Sequence, residues 1–130
     1  MFSLITLIEG DSVAPEIVDA VKTQIRPDEK VLVFLDSHHA KDHVLAELDA
    51  YSPLVSEGSY IVAMDGIMEQ VAGAPRTQPD WTWNNPRQAA REFAETNPDF
   101  EIVEPSFPFN EGNVTERVTY WPDGFLKRVR

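Results

Sequence analysis

Val31-Leu32-Val33-Phe34-Leu35-Asp36-Ser37-His38-His39 decides how this chain is read: five apolar residues, three of them aromatic or β-branched, run straight into an acid, a hydroxyl and two imidazoles. Such a run predicts a buried parallel strand. A strand apolar on both faces needs covering on both, as in α/β sheets whose crossover helices pack above and below. Ligands in those sheets sit at the carboxyl ends of the strands, where Asp36 and His39 stand. Within the strand the same side chains would be costly to bury. The competing reading is that Asp36 and Ser37 cap the helix that follows, as expected at any strand-to-helix turn.

Upstream, Leu4-Ile5-Thr6-Leu7-Ile8 is a second near-continuous apolar run, closed by the turn-forming cluster Glu9-Gly10-Asp11-Ser12. It predicts a strand and then a helix. Asp11 or Ser12 can serve as N-cap, Pro15 is tolerable in the first turn, and Ile17, Val18, Val21 and Ile25 share one helical face. Downstream, Val44, Leu45 and Leu48 mark a second helix that Ser52-Pro53 ends or kinks. A third strand, residues 59–64, ends in Asp65-Gly66. Strand, helix, strand, helix, strand with short connections is the signature of right-handed crossovers and a parallel sheet.

Beyond it, residues 71–85 carry Gly73, Pro75, Pro79, Trp81 and Trp83 with no clear period, which predicts a long loop. Trp81 and Trp83 can cap a substrate or simply bury apolar area on the sheet. Asn85-Pro86-Arg87-Gln88 supplies an N-cap, a proline at the first helical position and a capping-box glutamine. Ala89, Ala90, Phe93 and Ala94 form that helix's apolar face, and Asn97-Pro98 stops it. A short strand follows at 100–103. The flanks of Pro122-Asp123-Gly124, residues 118–121 and 125–129, predict a hairpin with glycine at positive φ, so antiparallel strands close an otherwise parallel sheet.

Composition narrows the function classes. The 130 residues make one domain, 1–130, able to bury about two thirds of its unfolded surface. No apolar run approaches the length of a membrane helix, and Met1 to Ile8 has no basic n-region, so a cytoplasmic location and no membrane partner are expected. The absence of cysteine excludes disulfides and thiolate chemistry. A formal net charge of −11 repels phosphate backbones, so no nucleic-acid partner is expected.

Several blocks together resemble the cephalosporin hydroxylase and rhamnosyl O-methyltransferase family. They include Ile5 to Gly10, Leu35-Asp36-Ser37, His39, Asp42 to Leu45, Glu47-Leu48, Tyr51, Pro53 to Val55, Gly58 to Tyr60, Met64-Asp65-Gly66, Asn97 to Ile102 and Pro122 to Arg128. The resemblance implies a Rossmann-like fold that uses S-adenosylmethionine, of which this chain corresponds to the carboxy-terminal part. The fold's first two strands, which carry the glycine-rich turn and the ribose-holding acid, are expected to be absent. The fold's sheet order places those strands between residues 4–8 and 31–35. That leaves an exposed strand edge for a second copy of the chain or for a missing amino-terminal partner.

The resemblance also implies a site. Glu9, Gly10 and Asp11 would lie near the cofactor's adenine, and Asp36 and Asp65 would hold a magnesium ion, which takes one or two carboxylates and keeps several waters. Many relatives carry a second acid where this chain has Met64. His39 is the expected general base, with a structural hydrogen bond as its other reading. His39 and His43 are spaced i, i+4 and can also face one metal. The expected reaction of the intact protein is methyl transfer to a hydroxyl of a sugar or small natural product, with this chain inactive alone. A non-catalytic remnant or interaction module is the alternative.

Overall fold

The computed structural model describes residues 4–106 and 116–130. Four strands form one mixed sheet in the order β1-β2-β4-β3: β1 is Val33–Leu35, β2 Tyr60–Ala63, β3 Phe100–Ile102 and β4 Phe125–Arg128. β1 and β2 pair in parallel, with Val33 opposite Ile61 and Leu35 opposite Ala63. β4 runs antiparallel to both of its neighbours.

Helix α1 is Pro15–Gln24, α2 Lys41–Tyr51 and α3 Pro86–Thr96. The core lies between one face of the sheet and α2 and α3, where Leu35, Leu48, Ile61, Ala90, Phe93 and Leu126 are buried. The anticipated apolar faces are the ones turned inward: Val44 and Leu48 on α2, Ala89, Ala90 and Phe93 on α3. Asn85 caps α3 by accepting from the Gln88 amide at 2.9 Å, with Pro86 in the first turn.

Several expectations are corrected. Residues 4–8 form no strand; they lie outside the four-stranded sheet, with Leu4 and Leu7 almost fully exposed. Helix α1 is capped by neither Asp11 nor Ser12: Ala14 is its N-cap and Asp11 instead accepts from the Val13 amide, making a turn before the helix. The 71–85 segment is not a structureless loop, since Pro79–Thr82 forms a 3-10 turn.

The hairpin is also absent, because residues 117–119 carry no regular structure and β4 pairs with β2 and β3. Pro122 instead opens a tight turn in which the Trp121 carbonyl accepts from the Gly124 amide at 3.0 Å. Its left-handed residue is Asp123 (φ 56°), not the glycine. Gly124 is required for another reason: a Cβ there would collide with the Ala63 carbonyl.

The organising strand is shorter than 31–35 and covered on one face only. Leu35 is buried, but Leu32 and Phe34 are 51% and 54% exposed. Among the described residues Phe34 has one aromatic neighbour, the edge-on ring of Trp121 with centroids 6.2 Å apart.

Candidate functional site

Parallel neighbours end on the same side of a sheet, and β1 and β2 do so here. The Met64 amide donates to the Leu35 carbonyl at 3.2 Å, which places the Asp36 and Asp65 turns next to each other. Asp65 adopts a left-handed conformation (φ 63°), interrupting the strand's alternation where the chain enters the 3-10 turn Gly66–Glu69. Gly66 fits this corner closely, since a Cβ there would stand 3.0 Å from Arg87 Cβ.

His39, just before the Ala40 N-cap of α2, brings the two acids together. Its Nε2 lies 3.3 Å from Asp36 Oδ1 and 3.2 Å from Asp65 Oδ2. One ligand atom from each of Asp36, His39 and Asp65 falls within 4.8 Å of the others. All three remain partly accessible, with side chains 56%, 31% and 41% exposed respectively. Two oxygens and one nitrogen at this spacing fit a divalent cation that keeps waters in its remaining positions.

A cavity of about 390 Å³ adjoins this group. Trp81 and Met68 form its apolar wall, and Gln78, Asp80 and Asn84 contribute polar groups. Asn84 is fixed in place, donating to Asp80 at 2.8 Å and accepting from the Lys41 amide at 2.7 Å. The two loop tryptophans therefore part company. Trp83 is 55% exposed, with Lys41 Nζ 5.8 Å from its ring centre.

His43 does not share a metal position with His39. Its Nε2 faces Ser12 Oγ at 3.3 Å, Ser37 Oγ at 3.2 Å and Glu47 Oε1 at 3.4 Å. Glu47 is the centre of this second cluster: its side chain is 3% exposed, and Ser12 and Ser37 each donate to Oε1 at 2.5 Å. The Tyr51 hydroxyl donates to the Ser12 carbonyl at 2.6 Å. Burial, reinforced by the charges of Glu47 and Asp11, pushes that phenol up and keeps the proton in place to donate. The cluster ties the turn carrying Glu9, Gly10 and Asp11 to the end of β1. Those three residues are themselves exposed, and a Cβ on Gly10 would run into Ile17.

Sequence reasoning missed Glu47 as a centre. The signal was available, because Glu47 follows Val44 by three positions and precedes Tyr51 by four, inside the apolar face.

Among the described residues no helix is long and apolar enough to cross a membrane. Residues 1–129 match the family described as rhamnosyl O-methyltransferase/CmcI. Curated relatives named rhamnosyl O-methyltransferase, from Mycobacterium tuberculosis and Mycobacterium bovis, are 34% identical over 62 residues. That match covers 47% of this chain and 25% of each relative, so the chain spans about a quarter of their length in the matched part. No solved structure matches the chain.

Proposed function

The chain belongs to the rhamnosyl O-methyltransferase/CmcI family, and from that premise we propose that it carries the acceptor-side half of a methyl-transfer site acting on a hydroxyl of a sugar or small natural product. Its four strands are read as part of a Rossmann-like methyltransferase sheet whose first two strands are not among the described elements. The observation that carries the reading is the convergence of Asp36, His39 and Asp65 at one sheet edge, beside the cavity walled by Trp81.

The residues take the following roles. Asp36 and Asp65 would hold a magnesium ion, which when bound lowers the proton affinity of an acceptor hydroxyl. Glu9, Gly10 and Asp11 would contact S-adenosylmethionine, which supplies the electrophilic methyl. His39 accepts the hydroxyl proton at Nε2, the atom that stands within 3.3 Å of both carboxylates. Trp81 offers an apolar face to the acceptor, while Asp80 and Asn84 offer hydrogen bonds to its other hydroxyls.

The test is transfer of a labelled methyl group from S-adenosylmethionine to hydroxylated acceptors. We expect none from residues 1–130 alone and cofactor binding weaker than millimolar. Label should enter the acceptor once the fold's first two strands are supplied, and disappear with His39→Ala. Supplied strands without label transfer, in a preparation that binds magnesium, would overturn the methyl-transfer reading. One observation favours a non-catalytic interaction module instead: among the described residues β1 pairs with β2 alone.

A further inference from the structure

We propose that the cavity walled by Trp81 takes an acceptor in which one of the groups beside the reacting hydroxyl is a protonated amine, and that Asp80 and the Trp81 ring recognise this ammonium. The inference rests on the acceptor-side reading of that cavity and adds a charge to the acceptor's chemistry. Both walls are built by this chain: residues 37–40 follow β1, and Met68, Gln78, Asp80, Trp81 and Asn84 come from the segment after β2. At about 390 Å³ the cavity has room for one ring and its substituents.

The carboxylates around this end of the sheet are not equivalent. Asp36 and Asp65 share His39, and Glu92 has the Lys41 ammonium at 3.0 Å. Asp80, partly exposed, accepts at Oδ2 from Asn84 Nδ2 at 2.8 Å and has no cationic partner among the described residues. No lysine or arginine walls the cavity. Its two imidazoles are turned to other partners, His39 to Asp36 and Asp65, and His38 through Nδ1 to the Ala40 amide at 3.4 Å. A carboxylate without a counter-charge in a half-enclosed cavity attracts a cation more strongly than it would in open water.

The aromatic wall points the same way. Trp83 meets a cation of the chain's own, Lys41 Nζ at 5.8 Å from its ring centre, whereas Trp81 has none among the described residues. A cation set between a tryptophan face and a carboxylate gains from both. Other ligands fit less well. A neutral polyhydroxyl acceptor would be served by the amides of Gln78 and Asn84 and needs no carboxylate. An anionic one would meet Asp36, Asp65 and Asp80 together. A bare divalent ion at Asp80 would find one carboxylate and an apolar ring, a poorer site than the Asp36, His39 and Asp65 group.

The probe is trans-4-aminocyclohexanol, a ring with one hydroxyl and an amine that is protonated at neutral pH, as in lysine. Its controls are trans-cyclohexane-1,4-diol and the N-acetylated amine, which keep the ring and lose the charge. Titrated into the 130-residue chain without cofactor, in the presence of magnesium, the amine should move the Trp81 indole N–H resonance. It should bind at least about tenfold tighter than either control. In Asp80→Asn, whose side-chain carbonyl can still accept from Asn84, that preference should fall to within about twofold with the circular dichroism spectrum unchanged. In Trp81→Leu, which leaves Asp80 in place, the amine should bind at least about threefold more weakly. No binding by any of the three compounds, equal binding of amine and diol, or a preference that survives Asp80→Asn would overturn the proposal. So would a preference seen without magnesium and lost with it, which would place the amine at Asp36 and Asp65. The readout is binding alone, so the two readings fail separately. Label transfer to acceptors with no preference for the amine breaks this inference, and an amine preference without label transfer breaks the methyl-transfer reading.

Discussion

β1 and β2 are apolar strands lying side by side in parallel register, yet only one of them is enclosed. β2 stands between β1 and β4, and its Ile61, Val62 and Ala63 are all buried to 1% exposure or less. Among the described residues β1 has a neighbour on one side only, and Phe34 in its middle is half exposed although its sequence is the more hydrophobic. An apolar strand pattern thus records the neighbours to which a sequence is adapted, whether or not those neighbours are present. The residues 4–8 make the same point more strongly, since five residues of strand-like pattern form no strand at all.

Truncation at the two strands should measure this contrast directly, and it carries the largest expected effect. Ile61→Ala removes a fully buried side chain next to Leu126 and should cost about 2–5 kcal/mol, read as a lower urea midpoint at constant slope. Phe34→Ala removes a half-exposed ring that meets Trp121 edge-on and should cost about 1 kcal/mol or less. Equal costs would mean that the Phe34 ring is covered in solution.

The site at the shared end of these strands comes next. Magnesium titrated calorimetrically into the wild type should bind, and Asp36→Asn or Asp65→Asn should weaken it at least about tenfold, a loss of about 1.4 kcal/mol. Asparagine is chosen at position 65 because it tolerates the left-handed conformation found there. If neither change alters binding, Asp36 reverts to a turn residue and the two strand ends differ only in burial.

This part of the molecule was also the most legible in the sequence. Asp36 and Asp65 were expected together because parallel strands end on one side, and the alignment of β1 with β2 makes that hold. Asn85 and Pro86 announced the start of α3 because a cap is a local device, settled by residues three apart. What was not legible depends on distant partners. The 4–8 strand needs neighbours that local pattern does not reveal, and Gly124 is dictated by Ala63, some sixty positions earlier. The place of Glu47 in an apolar face was readable, but its hydroxyl partners, Ser12 and Ser37, come from two other segments.

Caps separate the two halves on a smaller scale. α3 is held by Asn85, which is fully buried and also donates to the Trp81 carbonyl at 2.8 Å, whereas α1 begins at Ala14 with no side-chain cap and has no buried residue. Asn85→Ala should therefore cost about 2 kcal/mol, the upper end of the range for a lost cap. Ala14→Ser should stabilise by about 0.5 kcal/mol or leave stability unchanged, because α1 contributes little to the cooperative core. A large gain from Ala14→Ser would show that α1 limits global stability and would erase the distinction.

The last contrast concerns charge on the enclosed side. Asp123 Oδ2 accepts from Arg87 Nε at 2.8 Å and from Arg91 Nε at 2.9 Å, and Glu69 faces the same arginines. Burial pushes the Asp123 carboxyl up, but the hydrogen bonds and charges of Arg87 and Arg91 outweigh it and hold the group below its ordinary value of 3.8. A carboxyl depressed on folding contributes stability that is complete above the unfolded value and is lost as pH falls through the lower folded one. Asp123→Asn, which retains the left-handed turn, removes that contribution and should cost about 1 kcal/mol at neutral pH, given the partial exposure of the group. Urea midpoints of the two proteins should then converge as the pH is lowered below about 4. A difference that persisted unchanged into acid would mean that Asp123 holds the Trp121–Gly124 turn by shape, with Arg87 and Arg91 contributing nothing through charge to the closure of the sheet around β2.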